Sequence, residues 1–220
     1  AVTPAGSLYE VDMRLRPSGN AGLLVTSLDA FAEYQHQNAW TWEHQALVRA
    51  RVVAGSEALA DKFDELRGSI LRRERDPQAL RDDVVSMRHK MRDHLGTKGE
   101  GAKSERGDGE NASTDATFSL KHDAGGMVDI EFLCQYAVLA LSHQTPALIT
   151  YSDNIRILET LAESGHITQA EAEQLREAYL AYRSRTHRAA LTGEKALGQV
   201  KEFAEHRQIV TALWQRFLEP

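Results

Sequence analysis

Capped helix starts recur along the chain from residue 27 onward, and they constrain its fold more than any other feature. Ser27 stands before “LDAFAEYQHQ”, Ser56 before “EALADKFDELRGSILRR”, and Asp76 before a proline. Thr168 is followed three residues later by Glu171, which is the spacing of a capping box. Ser, Thr and Asp at such positions accept hydrogen bonds from free backbone N–H groups, and proline suits the first helical turn. The sequence therefore predicts a mainly α-helical chain.

The segments between these starts predict six or seven helices. “AWTWEHQALVRARVVAG” is expected to stay helical as far as Gly55, a residue type suited to a helix C-terminus. Later helices are expected in “MVDIEFLCQYAVLALSH”, “SDNIRILETLAESG” and “VKEFAEHRQIVTALWQRFL”. Residues 97–116 contain four glycines and no large apolar side chain, which predicts a mobile loop. We expect a helical-bundle domain over residues 27–220.

The N-terminal residues follow a different period. In “LYEVDMRLRPSG”, apolar and charged side chains alternate from Leu8 to Arg16, as they do along a half-buried strand. The turn-forming residues “PSGNAG” follow, and “LLVTS” then predicts a second short strand. We therefore expect a β-hairpin over residues 8–26, within a first unit that spans residues 1–26.

Composition narrows the function classes. The 26 Lys and Arg residues are outnumbered by 32 Asp and Glu, and the net charge of −6 argues against a nucleic-acid partner. Cys134 is the only cysteine, which fits a reducing compartment such as the cytoplasm. The longest apolar run, “FLCQYAVLAL”, is far below the roughly 20 residues that span a bilayer, so we expect no membrane association.

Three charged residues of the predicted first strand share one face, namely Asp12, Arg14 and Arg16. A carboxylate can hold Mg²⁺, and arginine forks bind phosphate oxygens in pairs. The pattern is therefore compatible with a nucleotide-handling site. Alternation alone favours a simpler interpretation, in which opposite charges neutralise each other on a surface strand.

A second group of candidates lies in “KHDAGGMVDIEF”, which contains Lys121, Asp129 and Glu131. Its two glycines precede a helix N-terminus, where anions are favoured. Asp129 and Glu131 are equally ordinary partners of the helix dipole. Side chains two residues apart diverge by about 200° on a helix, so at most one of these acids faces any single ion.

For four further residues, we consider a structural role at least as well supported as a functional one. Arg49 and Arg51 also diverge by about 200°, so one is expected in solvent, and the other in a salt bridge, for example with Glu43, or near phosphate. Trp40 and Trp42 are expected to anchor the core, because no basic stripe accompanies them.

Long stretches of the chain carry a family resemblance. “YEVDMRLRPSGNAGLLVTSLDAFAEYQ”, “TWEHQALVRARVV”, “FSLKHDAGGMVDIEFLCQY”, “SDNIRILETLAESG” and “YRSRTHRAAL” resemble the glutamine synthetase adenylyltransferases, bacterial enzymes related to polymerase-beta-type nucleotidyltransferases. The resemblance covers nearly the whole chain apart from the glycine-rich loop. That family has two catalytic halves, one attaching AMP to a tyrosine of glutamine synthetase and one removing it, and this chain looks like the C-terminal, AMP-attaching half.

The resemblance implies a fold and a site. The hairpin would be a remnant of a polymerase-beta-like nucleotidyltransferase sheet, followed by the helical domain. Asp12 would be a catalytic residue and the third metal-site acid for Mg²⁺, and Arg14 and Arg16 would contact the nucleotide. Lys121, Asp129 and Glu131 are carried over as further nucleotide-binding residues. ATP is the implied substrate, and glutamine synthetase and a PII signalling protein are the implied partners.

The family pattern also includes a Gly-Ser turn and two aspartates that this sequence does not contain. We therefore expect the 220 residues to be a fragment without activity of its own. Two alternatives stay open: the chain belongs to the AMP-removing half, or it is a non-catalytic helical module that docks glutamine synthetase or a PII protein.

Overall fold

The computed structural model describes residues 2–3, 6–7, 12–97 and 116–219, and within them the chain is mainly helical. The predicted fold class, mainly α with a small β-hairpin, is confirmed. The described residues contain eight α-helices: α1 Leu28–Gln37, α2 Thr41–Arg49, α3 Glu57–Leu71, α4 Pro77–Leu95, α5 Met127–Leu141, α6 Asn154–Glu163, α7 Gln169–Thr192 and α8 Ala204–Leu218. Short 3₁₀ helices occupy Gly19–Ala21 and Pro146–Ile149.

Four short strands form two antiparallel pairs. β1 (Val2–Thr3) pairs with β2 (Gly6–Ser7), and β3 (Thr117–Ser119) pairs with β4 (Leu197–Gln199). In the second pair, Phe118 lies opposite Gly198. This pair joins the segment before α5 to the segment after α7.

Helix α5 lies at the centre of the bundle. It contacts α2, α4, α6, α7 and α8, and Ile130, Cys134 and Val138 on it are fully buried. A helix that is apolar on every side has no preferred solvent face, so it becomes the core around which amphipathic helices pack. The apolar run of the sequence thus marks the interior of the domain.

The predicted helix caps are confirmed. The side chain of Ser27 accepts a hydrogen bond from the Ala30 amide, and Asp76 accepts one from the Ala79 amide at 2.7 Å. Ser56 caps α3 in the same way. The Thr168 hydroxyl accepts a hydrogen bond from the Glu171 amide, and the Glu171 carboxylate accepts one from the Thr168 amide.

The helix predicted to run on to Gly55 is wrong at both ends. The chain leaves helical geometry after Gln37, and the Glu43 carboxylate accepts the Trp40 amide at 2.9 Å to start α2. α2 then ends at Arg49, because the buried Arg67 guanidinium on α3 binds the last carbonyls of α2. The structure therefore has two helices, α1 and α2, where one continuous helix was expected, and this raises the number of helices to eight.

The hairpin predicted over residues 8–26 is corrected as well. Residues 8–11 lie outside the described residues, and residues 12–26 contain no strand. The Asp12 carboxylate accepts the Arg14 amide at 3.0 Å, which is a local turn that competes with strand pairing. Alternating side chains indicate a face, but a strand also needs a pairing partner. The hairpin that the structure contains is the one between β1 and β2.

The predicted mobile loop falls almost wholly on residues 98–115, which lie outside the described residues. Its two flanks are joined by one side chain, since the Asp123 carboxylate accepts the amides of Thr97 and Ser119, both at 2.8 Å. The division into units 1–26 and 27–220 stays a prediction. Among the described helices, none combines the length and the apolar character needed to cross a membrane.

Candidate functional site

Asp12 and Arg14 form an ion pair on the surface. The Arg14 guanidinium donates to both carboxylate oxygens of Asp12, with Nη2 at 2.6 Å from Oδ2. The side chains are 55% and 74% exposed, respectively, so the pair is open to solvent. The hydrogen bonds from Arg14 lower the pKa of Asp12 to about 2. This carboxylate is therefore ionised throughout the neutral pH range.

Arg16 does not join that pair. Its guanidinium donates to the backbone carbonyls of Met13, Asn20 and Gly22, so it holds residues 13–22 in a compact turn. Ser18 at this turn has a left-handed backbone, with φ of 61°. The structure thus brings Asp12 and Arg14 together and places Arg16 in a different role.

A cavity of about 390 Å³ lies beside Arg16, between residues 15–17 and helices α1 to α3. Its volume falls within the roughly 300–1,000 Å³ of small-molecule sites. Phe31 and Phe63 form apolar walls, and the aliphatic or polar parts of Gln35, Glu43 and Arg49 also line it. The Gln35 Oε1 atom is buried and has no hydrogen-bond partner in the described part of the chain. The wall of the cavity is therefore mainly apolar.

The glycine turn before α5 is a packed junction. Gly125 has φ of +75°, and a Cβ atom there would lie 3.0 Å from the Arg207 carbonyl oxygen. Its carbonyl accepts the Tyr182 hydroxyl at 2.9 Å, and its amide donates to Asp129 at 2.7 Å. The positive φ and the close approach both require glycine. The second glycine, Gly126, is equally enclosed by the carbonyls of Leu120 and Asp123.

Asp129 is closed inside a buried ion pair. Its Oδ1 accepts Arg88 Nε at 2.5 Å, and the two side chains are 2% and 0% exposed, respectively. Its Oδ2 accepts the Gly125 amide, and Arg92 lies 3.6 Å from Oδ1. Both carboxylate oxygens are therefore occupied within the protein. The predicted contact between Asp129 and a nucleotide would require this cluster to open.

Arg88 ties the glycine turn to α4. Besides Asp129, its guanidinium donates to the His122 carbonyl at 2.8 Å. Burial lowers the pKa of Arg88, while the charge of Asp129 opposes that shift. Removing one partner of such a pair leaves a buried charge without compensation, which costs about 3–5 kcal/mol. The pair therefore stabilises the packing of α4 against α5 in the helical domain.

Lys121 and Glu131 lie apart from Asp129. Lys121 is exposed, and Glu131 is half-buried, with its carboxylate 3.4 Å from the Tyr179 hydroxyl of α7. The expected divergence of Asp129 and Glu131 is confirmed, because the first faces α4 and the second faces α7. The structure thus does not gather these three predicted residues into one site.

The tryptophan and arginine expectations have mixed outcomes. Trp40 is 71% exposed, so its predicted role as a core anchor is wrong, whereas Trp42 is half-buried. Arg51 lies in solvent beyond the end of α2. Arg49 donates to Asn154 Oδ1 at 3.2 Å and lines the cavity, so Asn154 replaces the suggested Glu43 partner.

Asp12 is the acid that we consider as a metal ligand. Among residues 12–97 and 116–219, no three His, Cys, Asp or Glu side chains converge as a metal site. Asp12 is exposed and ionised, so it suits one oxygen position of a Mg²⁺ ion, which binds through one or two carboxylates plus phosphate oxygens. Its two oxygens first have to be released by Arg14. Cys134 is buried, and burial raises the pKa of its thiol, so it is a packing residue.

Sequence reasoning missed Arg88 and the cavity. A signal for Arg88 was present, because Leu80, Val84 and Arg88 recur every four residues on the buried side of α4. An arginine on an apolar stripe predicts a buried partner. The cavity had no comparable signal, since it depends on how residues 15–17 lie across three helices.

Comparison with known proteins gives two family matches. The family model described as glutamate-ammonia ligase adenylyltransferase matches residues 1–66, and the model described as GlnD PII-uridylyltransferase matches residues 85–214. All cavity-lining residues fall within the first match, and Arg88 and Asp129 both fall within the second.

Curated relatives agree over nearly the whole chain. Proteins named bifunctional glutamine synthetase adenylyltransferase/adenylyl-removing enzyme are 54% identical in Pseudomonas aeruginosa, 53% in Pseudomonas syringae pv. tomato and 48% in Acinetobacter baylyi. The matches cover 98%, 96% and 98% of this chain, but only 22%, 21% and 22% of those relatives. The chain belongs to the glutamine synthetase adenylyltransferase family, and over residues 85–214 to the GlnD PII-uridylyltransferase domain family.

Proposed function

We propose that this chain is part of a protein adenylyltransferase, which moves AMP from ATP to a tyrosine of glutamine synthetase. The names of relatives that are 48–54% identical support the reaction class. The observation that carries the proposal within this chain is the Asp12 carboxylate, which is exposed and ionised rather than buried in a closed pair. The proposed setting is the cytoplasm, with a PII signalling protein as regulator.

Asp12 is the proposed catalytic residue and ion ligand. In the reaction, the tyrosine oxygen attacks the α-phosphorus of ATP, and the bond from that phosphorus to the pyrophosphate oxygen breaks. A pKa of about 2 makes Asp12 a weak base, so we assign it a charge-stabilising role in preference to proton removal. A Mg²⁺ ion, when bound, would neutralise phosphate charge there. The other ligands would come from outside the described residues.

The two arginines have different proposed roles. Arg14 is exposed and, among the described residues, is bound only to Asp12, so it can exchange that carboxylate for a phosphate. Arg16 is fixed by backbone carbonyls at the edge of the cavity, which it shapes. Lys121 and Glu131 stay candidates for nucleotide contact. Asp129 contributes through the fold of the domain.

The test is AMP transfer in the intact protein that contains this chain. Labelled AMP is followed from ATP to glutamine synthetase with the Asp12→Asn variant and with Asp61→Asn, an exposed acid of α3, as the matched control. Losing a charge-stabilising group worth several kcal/mol predicts a fall of about 100-fold or more for Asp12→Asn alone. Equal rates for both variants would overturn the role of Asp12.

The same assay separates the alternatives. Phosphate-dependent release of AMP from modified glutamine synthetase, with no attachment, would assign the chain to the AMP-removing half. The absence of both activities, together with binding of glutamine synthetase, would support the docking module. That alternative has one observation in its favour, because Asp12 belongs to no group of three or more metal-ligating side chains among the described residues.

A further inference from the structure

The second half of α7 presents an exposed face that we call the α7 outer face: Arg183, Arg185, His187, Arg188 and Leu191, all exposed. Leu191 lies nine residues after the fully buried Tyr182, so the two point to opposite sides of the helix at about 100° per residue. Arg183 lies about 80° to one side of Leu191, and Arg188 about 60° to the other. Arg183 and Arg188 therefore flank an apolar side chain that is 88% exposed, and Arg185 lies about 120° from it.

The charge of this face is opposite to that of the chain as a whole. No Asp or Glu occurs between Ala178 and Gly193, whereas Glu171, Glu173 and Glu177 lie in the first nine residues of the same helix. The whole chain carries a net charge of −6. Positive charge is thus concentrated at one end of one helix. It creates a local positive potential that the rest of the surface does not share.

Interactions within the described residues do not account for these arginines. Arg176 pairs with Glu173 at 2.7 Å, and Arg216 pairs with Glu171 at 2.6 Å, but no described ion pair includes an arginine of the α7 outer face. The helix dipole does not account for them either, because its effect is confined to the last turn, which contains no basic residue. Within the described part of the chain, their charge is therefore not compensated by an ion pair.

The apolar centre distinguishes this face from a merely solvated helix. Leu180 is 38% exposed and lies within about 20° of Leu191 around the helix axis, so the two leucines mark one line along it. Protein interfaces characteristically have an apolar centre with arginine among the enriched residues. A solvated helix face would instead carry mixed charges of both signs.

We propose that the α7 outer face docks an acidic protein surface whose carboxylates surround an apolar contact. Charge complementarity selects carboxylates, and the exposed leucines select a protein surface over a phosphate backbone, which offers no apolar partner for them.

Binding of this chain to immobilised glutamine synthetase tests the proposal at low and at high ionic strength. The choice of this probe rests on the proposed function. The test variant is R185E/R188E, and the matched control is K62E/K90E, which makes the same charge change at exposed residues of α3 and α4. Circular dichroism and thermal unfolding establish that both variants remain folded.

We expect R185E/R188E to weaken binding at least about tenfold at low ionic strength, and K62E/K90E to change it little. High ionic strength should remove most of the difference, because salt screens exposed charges. L191A, which leaves the charge unchanged, should weaken binding at both ionic strengths. Equal effects of the two charge variants, or no binding by the unaltered chain, would overturn the proposal. AMP transfer by the intact protein is measured separately, so failure of the proposed function is distinguishable.

Discussion

Residues 12–66 and residues 85–214 contain the same kind of ion pair in opposite environments. Asp12 and Arg14 meet in solvent, whereas Arg88 and Asp129 are sealed between α4 and α5. An exposed pair contributes little to stability and can exchange partners, while a buried pair is costly to break. Burial, rather than residue type, therefore separates a group that is available for chemistry from a group that stabilises the fold.

The apolar side chains of the two regions also differ in how far they are buried. Leu23, Leu24 and Val25 before α1 are exposed, as is Val53 after α2. In the second region, Ile130, Val138 and most other large apolar residues of α5 are buried. The segments before α1 and after α2 therefore expose apolar surface, whereas α5 forms a core.

The largest expected effect is at Arg88. Arg88→Ala leaves the Asp129 carboxylate buried without its partner, and the predicted loss of unfolding free energy is about 3–5 kcal/mol. Urea denaturation of this chain measures it. As a control, Arg88→Met combined with Asp129→Leu removes both charges and should recover part of the loss. A loss below about 1 kcal/mol for Arg88→Ala would mean that the pair stabilises the fold no more than an exposed ion pair does.

A smaller effect is expected at Gly125. Gly125→Ala combines a φ of +75° with a Cβ 3.0 Å from the Arg207 carbonyl oxygen and 3.1 Å from Thr211 Oγ1. We expect a loss of about 2–3 kcal/mol, since strained backbone and overpacking add. Gly165→Ala is the matched control, because its φ of +76° is the same and no atom lies within 4 Å of its Cβ. Equal losses by denaturation would show that the close packing of the glycine turn is unimportant.

The smallest expected effect is at Arg14. Arg14→Gln removes the guanidinium that lowers the pKa of Asp12, so this pKa should rise from about 2 towards its ordinary value of 3.8. Because the folded-state pKa is the lower one, the contribution of Asp12 to stability is present above pH 3.8 and is lost as the pH falls towards 2. NMR titration of the Asp12 carboxyl measures the shift. An unchanged pKa would mean that the pair does not form in solution.

The sequence predicted those features that depend on neighbouring residues. Caps at Ser27, Asp76 and Thr168 are local, and the apolar run of α5 identifies a buried helix whatever surrounds it. The break between α1 and α2 was missed, although its Glu43 cap is also local. The end of α2 depends on Arg67, which lies 18 residues further along the chain, and no local pattern reports such a contact.

The candidate site was less predictable than the fold. The alternating pattern predicted that Asp12, Arg14 and Arg16 share one face of a strand. In the structure, Asp12 accepts the Arg14 amide in a local turn, and Arg16 donates to backbone carbonyls instead. Asp129 was visible as a charged residue, but its burial depends on Arg88 from a different helix. Which acid stays open and which is sealed is decided by tertiary packing.

The most direct test measures AMP transfer and thermal unfolding together on two variants of the intact protein. For Asp12→Asn, the account predicts that transfer falls about 100-fold while the unfolding midpoint changes little, because an exposed ion pair contributes little to stability. For Arg88→Ala, it predicts a lower midpoint, with transfer following the fraction of folded protein. Transfer retained in Asp12→Asn, or lost in Arg88→Ala while the protein is fully folded, would contradict the division between an open reactive acid and a sealed structural one.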